Sequence, residues 1–348
     1  MKNIGLLVVV CFLGFQLMGQ EVIRGPIAYP SPDVNDGFYF KEVVPTKKVI
    51  PYEYVREADV MWSKRIWRAI DLREKFNHPL YYPLDDFQDD MDPTDFSSWR
   101  RNTSRWSLWS IIRYHVLVGD LTLYSPFDPD WQKWKDGDLF KYPFTQIKYG
   151  DQTISGGTFM TDKIYRKEIL DMQYLGYELI DSNPEPYTNV NGYDSTVTIN
   201  GVTETVYPDP EFVWYKSEDI VQYRIKEDWF FDKERSVMDV RIIGICPVIY
   251  DVDPHTGNIL GMKELFWLYF PECRYVFQNF YVQSRHNDSQ RMSFDDLFWK
   301  RMFQSYIIKE SNIYDRDVQE YKAGVDALLE SEKIKEKIFN FEHDLWSY

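Results

Sequence analysis

Histidine and cysteine are scarce in this chain, and neither falls at a metal-binding spacing. The five histidines, at 78, 115, 255, 286 and 343, form no HxxxH, HExxH or Cys–His pattern, so spacing assigns no zinc site and no other metal or cofactor. A GxSxG elbow, a phosphate-cradling glycine loop and a dinucleotide fingerprint are also missing. Positive charge is short: 40 Lys and Arg face 55 Asp and Glu, a formal net charge of −15, which disfavours nucleic acid as a partner. No apolar run reaches the ~18 to 20 residues that span a bilayer. The apolar stretch Ile4–Phe15, preceded by Lys2 and followed by small residues, instead predicts a signal peptide over residues 1–19 and an exported chain. Beyond that leader only Cys246 and Cys273 remain, either a disulfide permitted by an oxidising compartment or two buried thiols.

Aromatic residues are abundant, at 18% of the chain, which points to large buried cores or interfaces. They crowd with cations in DVMWSKRIWRAIDLREK, residues 59–75, where Asp59 is placed to N-cap a helix with Trp62, Ile66 and Ile70 on one face. The stretch DDLFWKRMFQSYIIKES, residues 295–311, echoes it at a constant shift. A second echo relates Asp71, Leu72, Arg73 and Pro79 to Asp239, Val240, Arg241 and Pro247. The first echo predicts a helix over 59–75 and the second a strand; the four-residue spacing favours the helix, and either echo implies an internal duplication.

The fold class expected is α+β, with antiparallel sheets, packed helices and a long C-terminal helical segment. A Pro- and Val-rich extended arm covers 20–50 and an N-terminal α+β half 51–182. Within that half, Leu108, Ile111, Ile112 and Val116 predict a buried helix ending at Gly119. The acidic loop at 85–95 lacks the glycine and closing glutamate of a calcium loop and reads as solvated. A Pro/Asn-rich linker, 183–212, carries a β-hairpin insertion turning at Asn200-Gly201. The C-terminal half, 213–348, opens with two long strands around Asp232–Arg235, and KELFWLYFPECRYVFQNFYV reads as an aromatic strand pair. It closes with two apolar helical runs, Val318, Tyr321, Val325, Leu328 and then Ile334, Ile338, Phe341, Leu345, changing phase near Ser331. The paired acids Glu227/Asp228 and Asp295/Asp296 suit glycoside cleavage, or else cross-strand and capping roles.

The blocks YVREADVMWSKRIWRAIDLREKFNHPLYYP, IKEDWFFDKERSVMDVRIIGICP, FWLYFPECRYVF, FDDLFWKRMFQSYIIKESNIYDR and FNFEHDLW resemble the GldN/PorN family of gliding-motility and type IX secretion proteins, from about Tyr52 to Trp346. The resemblance implies a non-enzymatic periplasmic component without cofactor. It would form a ring of copies of itself with an outer-membrane lipoprotein of the GldK/PorK type, near motor subunits of the GldM/PorM type. Candidate partner-facing residues are Trp62, Lys64, Arg65, Trp67, Trp229, Trp299, Lys300, Arg301 and Phe303, where rings stand beside cations. The competing reading is a periplasmic protein that binds or cleaves glycan, drawn from the tryptophans and paired acids.

Overall fold

The computed structural model describes residues 49–84, 105–126, 137–141, 143–144, 148–149, 152–153, 173–179, 196–199, 202–205, 211–252, 257–284, 287 and 290–346. The leader, the arm up to residue 48, the acidic loop, Trp131 and Trp134 lie outside them. In chain order the main sheet uses β1 (Val60–Asp71), β2 (Leu123–Tyr124), β3 (Pro143–Phe144), β4 (Ile220–Asp232), β5 (Val237–Val252), β6 (Ile259–Glu264), β7 (Trp267–Tyr269) and β8 (Tyr306–Glu310). The principal helices are α1 (Leu108–Val118), α2 (Phe270–Phe277), α3 (Phe294–Trp299) and α4 (Val325–Trp346).

The helix expected over 59–75 is a strand, and this is the main correction to the sequence reading. A step of four residues is also even, so Trp62, Ile66 and Ile70 share one face of a strand as readily as one face of a helix. The β-formers of VMWSKRIW then pair along both edges. Lys64 lies opposite Trp229, Arg65 opposite Asp228 and Ile66 opposite Glu227 on β4, while Trp67 lies opposite Lys309 on β8. The partner segment of the first echo is instead α3, a turn and β8, so Lys64 and Arg65 sit mid-strand while Lys300 and Arg301 follow a helix end. In the second echo Asp71 ends β1, whereas Asp239 lies within β5. Neither echo is a structural repeat.

The sheet is antiparallel in the order β8-β1-β4-β5-β7-β2-β3, with β6 also on β5. Strands from before and after the 183–212 segment thus share one sheet, with β1 between β8 and β4. Beside it, Gly176–Leu179 pairs with Glu211–Trp214, and Thr196–Ile199 pairs with Val202–Thr205 across Asn200-Gly201, the hairpin expected from the sequence.

One large apolar cluster fills the space between the sheet and α1, α2 and α3. Helix α1 begins where Ser107 Oγ accepts the Ser110 N–H and ends at Gly119, whose φ of 89° suits glycine. Leu108, Ile111, Ile112 and Val116 are all fully buried, as their spacing predicts. The aromatic strand pair expected around residue 270 is only half present. β7 ends at Tyr269, and Pro271 in the first turn starts α2, a position where its fixed φ fits a helix and its missing N–H costs nothing.

Cys273 lies on α2 in the large cluster, while Cys246 lies on β5 in a separate cluster with Trp67, Val248 and Trp267. Both are free buried thiols, which replaces the disulfide expectation, and burial pushes both thiol pKa values up.

The long C-terminal helix is present but starts later than its apolar pattern. A single turn, Val318–Tyr321, is followed by Gly324 at φ 58° and then α4. The side chains of α4 that dock are Ala327, Ser331, Ile334 and Ile338, packing with Ile66 of β1 and Ile307 of β8. Val325 and Leu328, which the spacing placed with Val318, are exposed.

Candidate functional site

The strand register gathers the candidate residues into separate groups. On β4, Tyr223, Ile225, Glu227 and Trp229 alternate along one face, so a carboxylate stands in an apolar row and requires a partner. Arg301 supplies it: Nη1 lies 2.8 Å from Glu227 Oε1, and Nη2 donates to Oε2 at 3.1 Å. Trp229 Nε1 donates to the same Oε2 at 3.0 Å. The Arg301 guanidinium lies over both the Trp229 and Phe303 rings, each at 5.3 Å, and Phe303 is buried in the main core. Arg301 itself has φ 53°, a left-handed conformation that its fully buried partner Glu227 helps to hold. Nearby, Arg68 donates to Ser305 Oγ at 2.8 Å and to the Ser305 carbonyl at 3.0 Å, and burial lowers its pKa.

Further along β1, Arg65 grips Asp228 directly across the ladder with bonds of 2.6 and 2.8 Å, and Lys64 reaches Glu310 at 3.5 Å. Trp62 stacks on Phe341 of α4 with centroids 4.8 Å apart. Trp67 belongs to the opposite cluster with Cys246. Its Nε1 donates to Asp138 Oδ2 at 3.0 Å, and the ammonium groups of Lys309 and Lys226 lie 4.8 and 5.8 Å from its ring centre.

Trp299 forms a third group. It stacks on Tyr52 at 5.3 Å, and Arg274 lies over both rings, at 4.9 and 4.5 Å. Arg274 is itself buried, donating to Asp295 Oδ1 at 2.8 Å and to the Ile50 carbonyl at 2.8 Å. Arg241 also lies over the Tyr52 ring, at 5.1 Å, and donates to the Glu53 carbonyl. Burial raises the Tyr52 pKa, with Arg274 opposing. Lys300 is exposed beside this group.

Of the nine candidates, the structure brings together Trp229, Arg301 and Phe303, packs Trp62 with Trp229 against the Ile66 cluster, sets Lys64 and Arg65 on opposite faces of β1, and places Trp67 and the Trp299–Lys300 pair elsewhere. Sequence reasoning missed Glu227, Arg68, Tyr52, Arg241 and Arg274 as members of these groups. The alternation Tyr223-Ile225-Glu227-Trp229 was the available signal for Glu227. Both paired acids are engaged: Glu227 by Arg301, Asp228 by Arg65, Asp295 by Arg274, and Asp296 by the capping box of Ser293. Carboxylates held in this way fix the geometry of the chain around them. Among the described residues no three or more His, Cys, Asp or Glu side chains gather as metal ligands, and no helix is long and apolar enough to cross a membrane.

Apolar side chains also remain exposed outside these groups. Val325, Leu328, Leu329 and Phe339 are exposed on α4, and Ile259, Leu260 and Met262 on β6. A groove of about 490 Å³ is lined by Phe76, Val282, Met292, Leu297 and Met302.

No curated protein matches the chain. A family model, described as gliding motility associated protein GldN, matches residues 55–347, which takes in every group above except Tyr52 and its neighbours. The chain therefore belongs to the GldN family of gliding motility associated proteins.

Proposed function

We propose that this protein is a non-enzymatic structural subunit of the gliding motility and type IX secretion machinery. It works in the periplasm, in a ring built from copies of itself and an outer-membrane lipoprotein of the GldK/PorK type, next to a GldM/PorM-type motor subunit. The observation that carries the reading is the division of labour among side chains. Apart from the exposed Lys300, the cations, carboxylates and tryptophans of the candidate site are spent on contacts within the chain, while apolar residues such as Leu328, Leu329 and Phe339 of α4 stay exposed. Exposed apolar surface of that kind serves adhesion to other proteins. The leader at 1–19 and the acidic charge agree with an exported chain.

The reading is tested by tagging the chain at native expression and purifying it from detergent-solubilised envelopes. A lipoprotein partner is expected in the eluate, in an assembly far larger than one chain. A monodisperse monomer with no envelope partner overturns the proposal.

A further inference from the structure

Helix α4 carries more apolar surface than its own sheet uses. Its inner side, Ala327, Ser331, Ile334 and Ile338, packs with β1 and β8, and one such face is what a helix docked on one sheet requires. A second set, Val325, Leu328, Glu332, Lys335, Phe339 and Glu342, recurs at alternating steps of three and four, the spacing of a coiled-coil seam. Val325, Leu328 and Phe339 are 71%, 59% and 66% exposed. The direction of this seam follows from its neighbours. With roughly 3.6 residues per turn, the way round α4 leads from Phe341, stacked on Trp62 of β1, to Ser331, which takes the outer N–H of β8, and then to the seam. It faces past β8, away from the sheet.

We infer that this seam pairs with the same seam of a second copy of the chain, the two α4 helices lying antiparallel about a two-fold axis. Charge at the middle of the seam selects both the partner and the direction. Turned end for end about a point between residues 333 and 334, the seam sets Glu332 against Lys335 of the second copy and Lys335 against its Glu332. The same turn sets Leu328 against Phe339 on either side of that centre and leaves Val325 beside Glu342 at the two ends. Ser331 and Ile338, one step further round, stay on their own sheet. Parallel helices in register would instead bring Glu332 against Glu332 and Lys335 against Lys335. In the single chain Lys335 bonds Glu332 at 3.0 Å, with the two side chains 59% and 69% exposed. An exposed pair of that kind contributes little and is exchanged across the seam at small cost.

A two-fold contact uses one patch on both copies and closes as a pair. The ring proposed above then grows through a different contact.

The inference rests on the self-association in that proposal and gives it one interface. Its test uses full-length exported chains with two different tags, one carrying Glu332→Lys and the other Lys335→Glu. Either variant paired with itself sets like charges opposite each other, whereas the mixed pair has opposite charges at both central layers. By sedimentation, each variant alone should dimerise about tenfold more weakly than the parent, and mixing the two should restore dimers. Both sites are exposed, so the unfolding midpoints of the variants should match the parent's. In the envelope, Glu332→Cys on one tag and Lys335→Cys on the other should give, on oxidation, a disulfide dimer carrying both tags, the native thiols being buried. Lys337→Cys, on the opposite side of the helix, should give none in place of either.

Chains that co-purify from envelopes without the mixed disulfide, and without restoration on mixing, overturn the seam contact and leave self-association standing. Chains that never co-purify overturn both. A Glu332→Cys homodimer in place of the mixed one assigns a parallel pair, and loss of an envelope partner that mixing does not restore assigns the seam to a different protein; either result overturns the inference.

Discussion

Strands β8 and β6 both border the sheet, yet they end it in different ways. β8 carries Lys309 and Glu310, ion-paired to Asp315 and Lys64, and α4 lies against it. The N–H of Ile307 is taken by Ser331 Oγ of that helix at 3.0 Å, so a side chain supplies the acceptor that a further strand would otherwise provide. Among the described residues β6 has no such cover and displays Ile259, Leu260 and Met262. The sheet is closed on one side by the chain's own helix, while on the other the apolar residues of β6 stay exposed. Residues buried at the first edge should matter to folding, and those exposed at the second should not.

The sharpest way to break this contrast is to truncate one side chain at each edge. Ile334→Ala, at a position 1% exposed, should destabilise the chain by about 2–5 kcal/mol through lost burial and the cavity left behind. Leu260→Ala should fall within about 0.5 kcal/mol of the parent. Urea unfolding of the two purified variants measures both, and equal losses would mean that the β6 edge is already covered in the single chain.

Next in size is Ser331→Ala, which strands the Ile307 N–H at a buried position and should cost about 1–3 kcal/mol. Hydrogen exchange is the finer readout, because the Ile307 amide should lose protection ahead of the amides in β4. Gly324→Ala forces a side chain into φ 58° just before α4 and should cost roughly 1–2 kcal/mol, seen as a lowered Tm.

The smallest effect lies under Trp67, where β8 and β4 each contribute a lysine. Burial depresses the Lys226 pKa below its usual 10.5, although Asp138 pulls the other way. Between the folded pKa and 10.5 the unfolded chain holds a proton that the folded chain has released, so this group makes stability rise as pH climbs through that window. Lys226→Met should remove that rise. Urea midpoints of the two proteins compared from about pH 8 to about pH 10.5 would show it.

The parts of the fold that could be read from the sequence are those where one period was consistent with one element. α1 has apolar residues at helical spacing, a serine cap and a closing glycine. β4 and β5 are long apolar runs around a polar turn, and the Asn200-Gly201 hairpin has its turn signature. β1 was misread because a four-residue spacing satisfies both periods, and its pairing with β4 and β8 is not visible locally. The strand-to-helix change at Phe270 hid in an unbroken aromatic run marked only by Pro271. The candidate site was legible as composition, rings beside cations, but not as grouping. Arg301 meets Glu227 and Arg274 meets Asp295 only after distant segments pack. The start of α4 was placed too early because Gly324 separates two apolar runs that share a spacing but not a helix.

The grip of Arg274 and Arg241 on Ile50 and Glu53 has a mechanical consequence. A pull on the N-terminal end reaches these two anchors before it reaches β1. Arg274 passes the load to Asp295 on α3, and Arg241 passes it into β5 near the middle of the sheet. Traction is thus delivered to α3 and β5 before it reaches the first strand.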